Sequence, residues 1–227
     1  MIQKSKIRYI MLAISFLSIA GMITLIGCGG AKQTSKQVTQ TTPESTKIPT
    51  ETKAITQKQD STPKTTGGKY MLISVKIGEK AIGKIKIELY PKEAPKTVAN
   101  MIKLVNEGFY NGLTFHRVIT GFMIQGGDPK GDGTGGPDYT TPAEFNPKLT
   151  HIRGAVAMAR TDNPAKASSS CQFYICHGAP HFLDNNYTIF GQVVEGMDVV
   201  DQIANVKKDS RDKPLTPVVM DKVTITD

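Results

Sequence analysis

From about residue 69 onward the chain is predicted to be a mainly β domain, an antiparallel barrel or sandwich carrying two helices. Three observations predict it. Short runs of apolar–polar alternation recur between Tyr70 and Ile225. Apolar residues fall at helical spacing in only two stretches. Clusters of Gly, Pro or Asn bound each run, as they do between the strands of antiparallel sheets. Periodicity alone does not separate a barrel from a sandwich.

Taken in order, residues 1–27 read as a signal peptide of the lipoprotein type. Lys4, Lys6 and Arg8 precede an apolar run from about Ile10 to Ile26. That run is short against the ~20 apolar residues of a membrane span. It ends in Leu25-Ile26-Gly27-Cys28, which resembles a lipobox and marks Cys28 as the lipidation site. An uncleaved anchor is the other reading; both put the remainder outside the cytoplasm, lipid-anchored to the cell membrane in the first case. Residues 28–68 are rich in Thr, Ser, Lys and Gln and hold no aromatic residue. Such a segment cannot bury enough surface to offset its ordering entropy, so a disordered tether is expected.

Residues 69–227 have the length of one ordinary domain. Tyr70–Ile77 and Ile82–Leu89 alternate around Gly78-Glu79-Lys80, a hairpin signal. Pro95 opens a helix with Val98, Met101, Ile102 and Val105 on one face, and Gly108 closes it. Strands are expected at Thr114–Ile119, Phe122–Gln125, Ala155–Ala159, Gln172–Ile175 and Ile189–Val194. A second helix spans about Met197 to Asn205, and Val218–Ile225 is the last strand.

The formal charge of +8 is unevenly spread. Residues 1–68 carry nine Lys and Arg against three Asp and Glu, whereas 69–227 carry nineteen against seventeen. The basicity therefore belongs to the signal and tether and gives no argument for a nucleic-acid partner. Cys171 and Cys176 lie too far apart along one extended run to bridge, so two half-buried free thiols are expected.

The densest chemistry lies in Phe115–Asp128, FHRVITGFMIQGGD. Arg117 precedes the apolar pair Phe122 and Met123; Gln125 follows, then a Gly-Gly-Asp turn. A strand cannot hide both members of that pair on one face. A fixed cation, a carboxamide and apolar surface, with no nucleophile and no metal-ligand set, suit a site that grips a neutral peptide without bonding to it covalently.

This run closely resembles the signature of the cyclophilins, the peptidyl-prolyl cis-trans isomerases, and the resemblance extends over residues 69–227. It implies a closed eight-stranded antiparallel barrel capped by two helices. It implies Arg117 as the catalytic cation, with Phe122, Met123, Leu183 and Tyr174 lining a proline pocket. Tyr174 stands where the family usually has phenylalanine. Gln125 is then a hydrogen-bond partner of the substrate backbone, helped by backbone groups around Ala159 and Arg160, and Gly133 borders the neighbouring pocket. Phe182 replaces a tryptophan common in eukaryotic members, so tight cyclosporin binding is not expected. Tyr187 stands where many members have histidine, and Arg160 where asparagine is usual. The implied partners are proline-containing segments of exported polypeptides; the domain is expected to be a monomer with no cofactor and no metal.

That chemistry needs no proton transfer. Rotation about a peptide bond faces a barrier of about 18–20 kcal/mol from C–N double-bond character. X-Pro bonds populate both isomers and exchange over tens to hundreds of seconds. A donor at the prolyl nitrogen and a grip on the ring favour the twisted amide over either planar form. Other readings weigh less. Gly131–Gly136 matches a dinucleotide-binding glycine pattern, but Pro137 follows where a helix would be required. Ser168, Ser169 and Ser170 with His177 or His181 lack a nucleophile elbow, and no acid is evident to orient either histidine. His116 is read as structural, on the strand face opposite Arg117. The remaining alternative is a proline-peptide binding or scaffold module of the cell envelope with little turnover.

Overall fold

The structure, a computed structural model, describes residues 68–227. The signal peptide, Cys28 and the tether up to Gly67 lie outside the described residues.

β1 (Tyr70–Ile77) and β2 (Lys80–Leu89) form the first hairpin, with Ile77 opposite Lys80 across a turn of Gly78 and Glu79. α1 (Pro95–Asn106) follows, burying Val98, Met101, Leu104 and Val105. Its N-terminus has no side-chain cap of its own; Glu144 accepts the backbone N–H groups of Lys96 and Thr97 instead, at 3.0 and 2.8 Å. A carboxylate there satisfies two orphan donors and complements the helix dipole.

Next come β3 (Thr114–Ile119), β4 (Met123–Asp128), β5 (Thr140–Thr141), β6 (Ala155–Met158), β7 (Ser168–Ser169) and β8 (Phe173–Cys176). β9 (Ile189–Glu195), α2 (Met197–Ala204) and β10 (Val218–Thr226) complete the order. Eight strands close into an antiparallel barrel in the order β1-β10-β3-β4-β8-β6-β9-β2. This is the expected architecture. The two-residue β5 and β7 pair apart from the barrel; runs so short carry no periodicity to read.

The core is a cluster of aliphatic residues from β1, β2, β10 and both helices around four aromatics, Tyr110, Phe115, Phe173 and Phe190. Phe173 meets the other three edge-on, at ring-centroid distances of 5.8, 6.3 and 6.5 Å.

Cys171 and Cys176 are free, as expected, but fully buried rather than half-buried. β8 lies between β4 and β6, and all four of its residues are buried. One face meets the barrel core, and the other meets a second apolar cluster containing Leu149, Ile152 and Leu183. Cys171 packs in the first and Cys176 in the second. Burial raises both thiol pKa values, that of Cys176 to about 12.

His116 is buried next to exposed Arg117, in line with the expected division of faces. Neither of its ring nitrogens has a hydrogen-bond partner in the protein. Burial lowers its pKa, with Lys213 and Arg117 adding to the effect and Asp128 opposing it. An imidazole harder to protonate when folded makes the unfolded chain the better proton acceptor. Stability contributed by neutral His116 is therefore present above about pH 6.5 and lost on acidification below it. His116→Leu also removes an unsatisfied polar group, worth about 1–3 kcal/mol. The variant should be at least as stable as wild type near pH 7.5 and lose less stability on going to about pH 5.5. Urea unfolding at the two pH values checks this; equal losses in both proteins would refute it.

Candidate active site

The site forms on the outside of the barrel over β3, β4, β6 and β8. In β3 and β4, Arg117 lies directly opposite Gln125, and Gln125 lies opposite Tyr174 of β8. This register sets cation, carboxamide and aromatic ring in a row across three strands. The Phe122–Met123 difficulty is resolved by where the strand begins. Phe122 is not in a strand; it ends the turn between β3 and β4, and Met123 is the first residue of β4. Gly121 makes that turn at φ +79, a conformation costly for any side chain with a Cβ. Both residues thus reach the same cavity.

That cavity holds about 120 Å³ and is lined by Arg117, Phe122, Met123, Gln125, Ala159, Arg160, Tyr174, Leu183 and Tyr187. Met123 and Tyr174 are buried in its floor, and Arg117 stands exposed at its rim. Among the described residues no carboxylate forms an ion pair with Arg117. Gly133 is not in this cavity. It lines an adjoining one of about 520 Å³ that shares Gln125, Ala159 and Arg160 with the first. Phe182 lines neither cavity; it is 74% exposed and stacks on Phe122 with ring centroids 5.8 Å apart.

The backbone at Ala159 is more committed than expected. Its N–H donates to the Gln172 carbonyl at 2.9 Å, and its carbonyl accepts from the Ser169 N–H at 2.8 Å. Only the second lone pair of that carbonyl is left for a peptide. Arg160 is largely buried along its side chain. Its Nε donates to the Asn186 carbonyl at 2.9 Å, and its guanidinium lies 4.8 Å from the centre of the Tyr187 ring. It therefore braces the loop before β9 by a cation–π contact and a hydrogen bond.

Several supporting residues carried no signal in the sequence. Gln172 accepts from Gln125 Nε2 at 3.1 Å and donates to the carbonyls of Gly133 and Gly135, which orients the Gln125 amide. Asp128 gathers the backbone N–H groups of Lys130, Asp132 and Gly133 and so shapes the loop that leads to Gly133 at the second cavity. Burial works to raise its pKa, but these amide bonds together hold it below the usual carboxylate range. No helix follows that loop, so the glycine pattern is not a dinucleotide site. His151 and Asp184, spaced widely in sequence, meet behind the pocket at 2.7 Å.

The histidines considered for hydrolysis do face acids, contrary to expectation. His177 Nε2 is 3.1 Å from Asp201, and His181 Nδ1 is 3.2 Å from Asp184. None of the serines is poised to attack: Ser170 Oγ donates to the Pro137 carbonyl, Ser169 Oγ accepts from the N–H groups of Cys171 and Gln172, and Ser168 Oγ is buried without a hydrogen-bond partner. His177 Nδ1 accepts the Gly121 N–H at 2.8 Å, a structural bond that secures the turn presenting Phe122. Among the described residues no group of three or more His, Cys, Asp and Glu could hold a metal ion.

A barrel of this order with an exposed arginine at the rim of an apolar cavity is the architecture of a prolyl isomerase, and comparison with known proteins agrees. Residues 72–225 match the family model of the cyclophilin type peptidyl-prolyl cis-trans isomerases. The chain belongs to that family, and it is an enzyme of the peptidyl-prolyl cis-trans isomerase class. Peptidyl-prolyl cis-trans isomerase B of Bacillus subtilis is 50% identical over 124 residues, which cover 54% of this chain and 84% of that protein. The much longer isomerase CYP71 of Arabidopsis thaliana is 45% identical over 63% of this chain but only 23% of its own length. The crystal structure of a cyclophilin-type isomerase from Cryptosporidium parvum superposes with a TM-score of 0.64 at 30% identity, covering 70% of this chain and 98% of that one. A second structure of that protein, in the presence of the dipeptide Ala-Pro, gives a TM-score of 0.63.

Proposed function

We propose that residues 69–227 accelerate rotation about X-Pro bonds in exported polypeptides outside the cytoplasm. We further propose that lipid on Cys28 holds the domain at the cell membrane through the tether of residues 28–68. The observation that carries the catalytic reading is the exposed Arg117 guanidinium, free of any carboxylate partner among the described residues, at the rim of the apolar cavity. In that reading the proline ring packs against Phe122, Met123, Tyr174 and Leu183, and Gln125 holds the peptide backbone. The acyl side turns while Arg117 donates to the prolyl nitrogen as its lone pair localises. Arginine suits the task because it is permanently charged and presents several N–H groups in a rigid fork. Stabilisation arises only in the twisted state, which raises the rate rather than merely the affinity.

A module that only bound proline peptides would need the apolar walls and Gln125, but not an unpaired cation beside them. The deciding experiment follows the cis-to-trans relaxation of a short X-Pro peptide with and without the protein. Acceleration in proportion to protein concentration supports the enzyme, whereas a folded protein that leaves the rate unchanged is a binding module. Attachment to the membrane is tested separately: a labelled fatty acid should enter the wild-type chain and not a Cys28→Ala variant.

A further inference from the structure

Behind the pocket lies a chain of three polar groups that sequence did not link. His151 is fully buried in the segment before β6. Its backbone N–H and its ring Nδ1 both lie 2.7 Å from Asp184 Oδ1, and its Nε2 lies 2.9 Å from the Tyr174 hydroxyl. The carboxylate can only accept, so the Nδ1 hydrogen points to Asp184, and the Tyr174 O–H donates to Nε2. The His151–Tyr174 bond is buried and the bonds to Asp184 are part-buried, with Asp184 Oδ2 facing His181 at the surface; a paired network of this kind stiffens its surroundings.

Each end of the chain holds a different wall of the cavity. Tyr174 belongs to β8 and forms the floor. Asp184 immediately follows the 3-10 turn His181–Leu183, so fixing its carboxylate fixes Leu183. The Tyr187 ring stands edge-on to both partners, 6.4 Å from His151 and 5.9 Å from Tyr174. Three walls, one from β8 and two from the stretch between β8 and β9, therefore converge on one imidazole. A phenylalanine at 174 would supply the same ring and leave Nε2 without a partner.

We propose that His151 is a positioning residue of the proline pocket, acting through the Tyr174 hydroxyl and the Asp184 carboxylate to set the spacing of Tyr174, Leu183 and Tyr187. The proposal rests on the isomerase reading above and deepens it: His151 touches no substrate, but it decides how well the ring-binding walls fit.

The test uses the full chain, a short X-Pro peptide and four proteins. Tyr174→Phe and His151→Asn break the same bond from its two sides, and the asparagine amide keeps the link to Asp184. Each should raise KM by about 3- to 10-fold with kcat changed less than about 2-fold, the cost of one neutral hydrogen bond. The double variant should be no worse than the poorer single one, because only one bond is lost. In both singles the Leu183 methyl resonances should shift at temperatures where circular dichroism shows a folded domain. KM within about 2-fold of wild type in both folded variants, whatever their melting temperatures, would overturn the proposal and leave His151 a purely structural residue. If the wild-type protein itself fails to accelerate the peptide, the isomerase reading falls. The dissociation constant of the peptide, measured by NMR titration of the same four proteins, then decides the positioning role by the same fold-changes.

Discussion

Arg117→Ala is expected to lower kcat/KM toward an X-Pro peptide by about 100- to 1,000-fold, the usual loss when one preorganised transition-state donor is removed. The loss should fall mainly on kcat. The apolar walls and Gln125 remain in the variant, so planar substrate still binds, and the missing interaction is one made to the twisted amide. Stability should hardly move, since the side chain is exposed and no carboxylate depends on it among the described residues. Arg117→Lys keeps the charge but replaces a rigid fork by a single flexible ammonium, and should fall between the two. Peptide relaxation assays on all three proteins, with thermal melts alongside, check the expectation. A variant as fast as wild type would remove Arg117 from the mechanism altogether.

Phe173→Ala should have the largest effect on stability. The ring is completely buried and meets Tyr110, Phe115 and Phe190 edge-on, so its removal leaves a void bounded by three rigid rings. Such a site cannot collapse, and the expected cost is about 3–5 kcal/mol. Against a typical total of about 5–15 kcal/mol this is a large share, and the melting temperature should fall by on the order of 10 °C. Phe173→Leu, which refills part of the space, should recover much of the loss. Denaturant titration measures both, and a change below about 1 kcal/mol in the alanine variant would show that the neighbouring rings repack.

The long periodic elements were legible because their burial is one-sided. β1 and α1 each turn one face to the core, and the alternation or helical spacing records it directly. β8 was harder to bound, since both of its faces are covered and the run FYIC has no alternation to read. The position of Phe122 was ambiguous for a different reason: the three-residue turn Thr120–Phe122, set by Gly121, decides whether it points with Met123 or against it. The residues lining the first cavity, and Gly133 of the second, were identifiable through their resemblance to family motifs. The residues that hold those side chains in place were not. Gln172, His151 and Asp184 act through contacts between distant parts of the chain, His151 meeting Tyr174 and Asp184 across 23 and 33 positions. No local pattern encodes such a meeting; it exists only once the barrel has closed. The same holds for the acids facing His177 and His181, which the sequence reading missed.

Closure of the barrel has a consequence in time. β1 pairs with β10 along its whole length, from Tyr70 opposite Thr226 to Ile77 opposite Val218. The first strand of the domain is thus completed by the last, and β3 too borders β10. A nascent chain can form the β1–β2 hairpin early, because its partners are local, but it cannot seal the cylinder until the final strand has been delivered. Pairings of such long range are slow to form. During synthesis the domain must therefore wait, unsealed and with its apolar interior open, until its last residues arrive. A protein of this design is itself, for that interval, the kind of incomplete chain that folding helpers serve.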